Sequence, residues 1–146
     1  MRTTNWFYSE SVIPRCLRRG SLLQFHHVAL IVSDYARSKD FYTRILGFKI
    51  IRETYRAERQ SYKLDLQVGG AQLELFSFLN PPERLTRPEA CGLRHLAFSV
   101  PDLDATRAHL QTHGVTLEEI RIDPTTGKRF FFFADPDALP LEIYEE

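Results

Sequence analysis

The alternation of hydrophobic and polar positions becomes regular at residue 25. The run over 25–32 (FHHVALIV) is rich in strand-forming residues and predicts a β-strand. Ser33-Asp34 then offers a helix N-cap, apolar residues recur at helical spacing, and Gly47 closes the segment as a C-terminal glycine does. Three further strands are predicted after it, over residues 48–55, 62–68 and 71–78. This part of the chain is therefore predicted to be a β-α-β-β-β unit.

The same order starts again after a proline-containing loop. A strand is predicted over 93–100, a helix begins at Pro101-Asp102, and Gly114 ends it. Three strands are predicted to follow, over 115–122, 130–133 and 140–144. The restart is a repeat with an offset of 68 residues, which aligns His27-Val28-Ala29 with His95-Leu96-Ala97 and Leu73-Glu74-Leu75 with Leu141-Glu142-Ile143.

An internal repeat of this kind predicts two similar modules that share one domain. In each module the sheet buries one face against its helix, and the leftover faces can enclose a cleft. We predict a single domain over 23–146, with modules at about 23–79 and 91–146. Residues 1–22 are rich in Arg and poor in acids, and we predict a loosely ordered extension or a start site placed too early.

Candidate chemistry lies on the leftover face of each module. Side chains alternate across a strand, so His27 shares a face with Ala29, and His95 shares a face with Ala97. Each histidine therefore has a small neighbour that leaves room for a bound group. Glu74 and Glu142 each interrupt an apolar strand at the matching position. One such residue alone is ordinary, but two His and two Glu at equivalent positions predict one metal site.

Two imidazoles with two carboxylates suit Zn²⁺, Ni²⁺, Co²⁺, Mn²⁺ or Fe²⁺, and mixed nitrogen and oxygen ligation does not choose among them. A metal held in this way can act as a Lewis acid, and a nearby carboxylate can move protons. The sequence therefore predicts a site for one divalent metal ion and a small-molecule substrate.

Charge and composition exclude other classes of partner. The chain has 19 basic and 19 acidic residues, so no overall field favours nucleic acid or an anionic membrane. No apolar run approaches the length of a membrane span. Cys16 and Cys91 are too few for a disulfide framework and are predicted to be free thiols in a reducing cytoplasm.

Four segments carry a resemblance to the vicinal oxygen chelate superfamily, of which glyoxalase I is the best-known member. They are HHVALIVSDYARSKDFYTRILGF, QLELFSF, RPEACGLRHLAFSV and DPDALPLEIYEE. The resemblance covers about 23–146 and implies an α+β fold in which two βαβββ modules form an open, partly closed β-barrel around a metal cleft. It also implies a homodimer.

The resemblance further implies roles for the four residues of the candidate site. His27, Glu74, His95 and Glu142 would ligate the metal, and the reaction would be that of a lyase or isomerase acting through an enediolate on a 2-oxoaldehyde adduct or similar carbonyl compound. Glu142 is the preferred base, with Glu74 as the second choice.

Two positions depart from glyoxalase I. Where that enzyme holds glutathione with an Arg and an Asn, this chain has Ile31 and Phe78, so recognition of glutathione is not expected. Phe78 could contact a different substrate. Positively charged residues that could bind an anionic group of that substrate are Lys63, Lys128 and Arg129.

Other functions of the same superfamily remain as alternatives. An extradiol-type dioxygenase would use two His and one Glu on iron, and the extra carboxylate of Glu74 argues against it. An epimerase would have Gln at that position. A metal-free binding or resistance protein would not need all four ligands. The sequence leaves open whether the four residues meet within one chain or across a dimer.

Overall fold

The computed structural model describes residues 23–146, and the prediction for residues 1–22 lies outside the described residues. The first module contains β1 (His27–Val32), α1 (Tyr35–Asp40), β2 (Lys49–Arg56), β3 (Ser61–Val68) and β4 (Ala71–Ser77). The second module contains β5 (Leu96–Val100), α2 (Leu103–Thr112), β6 (Arg121–Ile122), β7 (Arg129–Ala134) and β8 (Pro140–Glu145).

Each module forms one four-stranded sheet with the same topology. The strand orders are β1-β4-β3-β2 and β5-β8-β7-β6. The first strand of each module pairs in parallel with the last, and the other pairs are antiparallel. The predicted pair of βαβββ modules is thus confirmed, and the sheets over residues 23–146 do not close into a complete barrel. No helix in this range is long and apolar enough to cross a membrane.

The signals that start and stop the helices act as the sequence predicts. The side chains of Asp34 and Asp102 cap α1 and α2 by accepting a hydrogen bond from the backbone N–H three residues later. Gly47 and Gly114 follow the helical segments with φ of 74° and 73°, a conformation that favours glycine. The first helical segment differs from a plain α-helix, because α1 continues as a π-helical turn over Phe41–Ile45.

One strand prediction is largely wrong. Of residues 115–122 only Arg121–Ile122 form a strand, and Leu117 makes an isolated bridge to Phe133. Val115, Leu117 and Ile120 all pack against the core. The step from 117 to 120 breaks the two-residue period of a strand, so a regular strand would point Ile120 away from the core. An irregular backbone keeps all three side chains packed.

The two modules join through the sides of their sheets that carry the helices. Phe48 of the first module lies edge-on to Phe98 of the second, with ring centroids 5.4 Å apart. The ring centroids of Phe41 and Phe133 lie 6.4 Å apart across the same junction, with the rings tilted at 43° to each other. Buried apolar residues of both modules form one continuous core. Burial of this shared apolar surface holds the modules together.

A buried hydrogen bond crosses the same junction. The hydroxyl of Tyr42 donates to Asp135 Oδ2 at 2.8 Å, and the backbone N–H groups of Asp137 and Leu139 donate to Asp135 Oδ1. Burial raises the pKa of Asp135 above its usual range, although these hydrogen bonds oppose the shift. Asp135 therefore ties the turn before β8 to the helix of the other module.

We expect Tyr42→Phe to lower the free energy of unfolding by about 1–3 kcal/mol, because it leaves a buried carboxyl oxygen without its donor. Tyr55→Phe is the matched control, since Tyr55 is 53% exposed and its hydroxyl has no hydrogen bond within residues 23–146. Chemical denaturation of both variants measures the difference. Equal stability would show that the hydrogen bond does not contribute to joining the modules.

Candidate metal centre

Strand register places one His and one Glu on the outer face of each sheet, opposite the helix. In the parallel pair β1–β4, Ala29 lies beside Glu74, and in β5–β8, Ala97 lies beside Glu142. Since side chains two residues apart share a face, each histidine projects on the same side as the glutamate of its module. We call these surfaces the site faces of the two sheets.

The first pair consists of His27 and Glu74. Nε2 of His27 lies 3.9 Å from Glu74 Oε2, and Glu74 is only 8% exposed. The other carboxylate oxygen, Oε1, accepts a hydrogen bond of 2.8 Å from Lys63 Nζ. Lys63 thus occupies one oxygen of Glu74 and leaves the other directed towards His27.

A second carboxylate supports this lysine. Lys63 Nζ lies 2.7 Å from Asp65 Oδ1, and Arg52 donates to Asp65 Oδ2. Burial alone would raise the pKa of Asp65, but the hydrogen bonds and charges of Lys63 and Arg52 outweigh it and hold the pKa below its usual value. The first site face therefore carries a network of alternating charges around Glu74.

The second pair consists of His95 and Glu142. Nε2 of His95 lies 3.0 Å from Glu142 Oε2, and Glu142 is 9% exposed. The ring of Phe132 stands edge-on to the imidazole at 5.2 Å. Nδ1 of His95 is buried and has no hydrogen-bond partner in the described part of the chain. His95 is therefore not a core histidine with both nitrogens satisfied.

Another histidine lies beside the first pair. His26 Nδ1 lies 2.8 Å from His27 Nδ1, so one of the two nitrogens donates to the other. When His27 Nδ1 carries the proton, its Nε2 presents a lone pair on the side of Glu74, which is the form that a metal requires. Regular strand alternation would direct His26 to the face opposite His27, and the contact arises because His26 precedes β1.

The donor set and its spacing fit a divalent metal. Two adjacent ligands of an octahedral ion, with bonds of about 2.1 Å, lie about 3 Å apart. His95 Nε2 and Glu142 Oε2 have that separation, and the first pair is wider by less than an ångström. Each pair alone supplies only two ligands.

The two pairs do not meet within one chain. Over residues 23–146 no three His, Cys, Asp or Glu side chains come close enough together to hold a metal ion. The reason is the packing of the modules, because their helix-carrying sides form the shared core and both site faces are directed away from it. A single chain therefore presents two separate half-sites.

The four predicted substrate residues lie in different surroundings, and not all of them are on the site faces. Lys63 lies at Glu74, and Phe78, 36% exposed, stacks at 6.4 Å on Phe76 of the first site face. Lys128 donates to the backbone carbonyl of Glu146. Arg129 shares the side of β7 that faces α2, where its guanidinium pairs with Asp104 and Glu145.

Two arginines on the site faces were not found from the sequence. The guanidinium of Arg56 lies 4.8 Å from the ring centroid of Phe76, and that of Arg121 lies 5.1 Å from those of both Phe130 and Phe132. Arg56 on β2 contacts Phe76 on β4 across the intervening strand β3, and Arg121 lies opposite Phe130 in the short β6–β7 pair. The two arginines do not obey the 68-residue offset. The sequence therefore carried no local signal for them.

Comparison with known proteins identifies the family. The family model of the Glyoxalase/Bleomycin resistance protein/Dioxygenase superfamily matches residues 24–143. The chain belongs to this superfamily. Its paired βαβββ modules are the fold that the solved members share with it.

Several members of the glyoxalase superfamily resemble the chain over nearly their whole length. The uncharacterized protein YaeR of Escherichia coli is 61% identical over 126 residues, and YwkD of Bacillus subtilis is 60% identical over 126 residues. Each match covers 86% of this chain and 98% of the relative. The crystal structure of a glyoxalase family protein from Enterococcus faecalis superimposes with a TM-score of 0.79 at 45% identity, covering 85% of this chain and 98% of that chain.

More distant relatives in the superfamily have different activities. They include a lactoylglutathione lyase of Pseudomonas aeruginosa, 25% identical over 162 residues and covering 89% of this chain and 88% of that protein. A catechol-2,3-dioxygenase and metallothiol transferases also match. Membership of the superfamily therefore establishes the fold and a range of chemistries, and the site must select among them.

We expect Lys63→Met to weaken binding of a divalent metal about tenfold or more, because groups that orient a ligand typically contribute that much to metal affinity. Without Lys63, Glu74 Oε2 is free to rotate away from His27. Lys49→Met is the control, since Lys49 lies exposed at the start of β2. Competition with a chelating indicator measures both affinities, and unchanged binding in Lys63→Met would contradict the orienting role.

Proposed function

We propose that this protein is a divalent-metal-dependent lyase or isomerase of the glyoxalase I type, acting on a small carbonyl compound. One observation carries the proposal. Two His–Glu pairs occupy matching positions on the two site faces, and less than a tenth of each glutamate is exposed to solvent. Glu142 pairs with no Lys or Arg within residues 23–146, and a buried carboxylate beside an imidazole is costly without a cation, which supports a metal at this position.

The proposal includes a homodimer that completes the site. Each chain offers His27 with Glu74 on one outward face and His95 with Glu142 on another, and each face lacks two ligands. In a two-fold dimer the first face of one chain can meet the second face of its partner, and the same contact then occurs twice. Two four-ligand sites result from one kind of interface.

The chemistry divides between the metal and the chain. A bound divalent metal would act as a Lewis acid that stabilises negative charge on the substrate oxygens. Glu142 serves as the base that takes the proton from one carbon and returns it to the next. Glu142 suits this role because no Lys or Arg pairs with it in residues 23–146, whereas Lys63 holds one oxygen of Glu74.

The substrate we propose is not a glutathione adduct. Ile31, 59% exposed, and Phe78 lie where glyoxalase I is expected to grip glutathione, and neither side chain can hydrogen-bond to it. A carbonyl adduct of another thiol, or a small carbonyl compound without a thiol, fits these apolar positions. Cys91 is exposed and forms no disulfide within residues 23–146, which agrees with the reducing cytoplasm that we propose as the compartment.

Mixing two defective chains tests whether the metal site is shared. His27→Ala and His95→Ala should each bind little metal alone, since each removes one ligand from both sites of a homodimer. After unfolding together and refolding, a heterodimer keeps one site with both histidines. With random pairing, about a quarter of all sites should then bind metal. Metal analysis after desalting measures the recovered fraction.

His109→Ala mixed with His95→Ala is the control, because His109 lies on α2 and contacts the backbone carbonyl of Ile45 instead of the site. That mixture should bind metal in proportion to the intact sites it contains. If the first mixture recovers no metal although the dimer forms, the four ligands belong to one chain and the shared site is wrong.

For the reaction, we expect metal-loaded protein to isomerise a methylglyoxal–thiol adduct faster with a thiol other than glutathione. Glu142→Gln should lower kcat by about 10²–10⁴, the usual contribution of a general base. Glu119→Gln, on an exposed residue outside the sheets, should leave kcat unchanged. Product formation followed with a panel of thiols, and with none, measures both effects.

Two results would contradict this assignment. Glutathione turnover at least equal to that with every other thiol would refute the interpretation of Ile31 and Phe78. Full activity of Glu142→Gln would show that another group moves the proton.

A further inference from the structure

A cavity of about 500 Å³ lies beside His95, between the second sheet and the segment that links the two sheets (residues 78–94, the linker). This volume is in the range of sites for small molecules. His95 and Phe132 line it from the second site face, and Leu93 lines it from the linker. A molecule bound at the candidate metal centre can therefore extend into this cavity without leaving the site face.

The lining of this cavity has an excess of positive charge. Four arginines and two glutamates contribute to it: Arg84, Arg87, Arg94, Arg121, Glu89 and Glu118. The glutamates pair with Arg94 at 3.7 Å and with Arg121 at 3.0 Å. Arg84 donates to backbone carbonyls of the linker, and Arg87 has no acidic partner within residues 23–146. Two positive charges thus remain without a carboxylate.

Arg121 is held next to the candidate centre by aromatic rings. Its guanidinium lies 5.1 Å from the centroids of Phe130 and Phe132, and Phe132 in turn contacts the imidazole of His95. Stacking on an aromatic face restrains an arginine and leaves its N–H donors free at the edge. Its ion pair with Glu118 is half-exposed, so a bound anion can replace it at small cost.

We propose that the cavity binds an anionic group, a carboxylate or a phosphate, on the same substrate that reaches the metal, and that Arg121 and Arg87 recognise it. This inference rests on the proposed function for the identity of the substrate, but the anion site itself does not require the metal. The planar guanidinium of Arg121 matches two oxygens of either group, and Arg87 adds uncompensated charge.

NMR titration of the full-length, metal-free protein tests the anion site with three probes: pyruvate, its neutral methyl ester and inorganic phosphate. We expect pyruvate or phosphate to bind and to weaken with added salt, and methyl pyruvate not to bind. The double variant Arg87→Gln/Arg121→Gln should bind the anion at least tenfold more weakly. The double variant Arg87→Lys/Arg121→Lys, which keeps the charge, should fall between it and the unmodified protein.

Arg37→Gln/Arg44→Gln is the matched control, because it removes the same charge from exposed positions of the first helical segment. It should bind the anion as the unmodified protein does. Stronger binding of phosphate than of pyruvate identifies a phosphate ester, and the reverse identifies a carboxylate. The proposal is overturned if Arg87→Gln/Arg121→Gln binds the anion as tightly as Arg37→Gln/Arg44→Gln does. It is also overturned if the unmodified protein binds pyruvate and its methyl ester equally.

Metal titration of the same variants keeps this proposal separate from the proposed function. Arg87→Gln/Arg121→Gln should bind metal normally, while His95→Ala should not. Anion binding without any metal binding by the unmodified protein would remove the proposed function and leave the anion site standing. Metal binding with no anion binding by the unmodified protein would remove the anion site and leave the proposed function standing.

Discussion

The contact between the helix-carrying sides of the two sheets is the constraint on which the rest of the molecule depends. A sheet has two faces, and in each module the more apolar one is used both to cover its helix and to join the other module, through Phe48–Phe98 and the buried Tyr42–Asp135 hydrogen bond. The other faces must then be directed outwards. If the modules met instead through their site faces, the four ligand candidates would share one chain, but the large apolar faces would be exposed to water. The hydrophobic effect that folds the chain thus also separates the half-sites.

The two half-sites are not equivalent, although the repeat places the same ligand types in each. Glu74 lies in a charge network with Lys63 and Asp65, which compensates its burial and restricts the carboxylate. Glu142 has nearly the same burial, and within residues 23–146 it pairs with His95 and with no Lys or Arg. A carboxylate that is held by a fixed cation suits a structural ligand, and one without a cation is free to exchange a proton. Under the proposed function, this asymmetry would let the two copies of the module divide ligation and catalysis between them.

Much of the fold followed from two simple signals, and the exceptions have identifiable causes. The 68-residue offset predicted the duplicated module, and strand alternation placed each His with its Glu, since both depend only on local periodicity. The strand over 115–122 was lost because the apolar spacing changes within it. Arg129 lies on the side of β7 that faces α2, because it pairs there with Asp104 and Glu145. The cavity beside the linker depends on contacts between distant segments, and the relation between the two half-sites depends on packing of whole modules, which no local pattern encodes.

The surroundings of the two His–Glu pairs differ in the chemical groups that they offer to a substrate. Beside the first pair, Ile31 and Phe78 offer no side-chain hydrogen bond to a peptide-like substrate. The guanidinium of Arg56 lies over the Phe78 ring on the same face. Around the second pair, the arginines of the cavity offer donors and positive charge. Under the proposed function, a substrate that reaches both faces would place an apolar part against Ile31 and an anionic group against the arginines of the cavity, with its carbonyl oxygens between them. Under the proposed function, the ligands on β1, β4 and β8 and directly before β5 would be separate from Arg121 on β6 and Arg87 in the linker. Substitution of those two arginines would then change selectivity without disturbing the ligands.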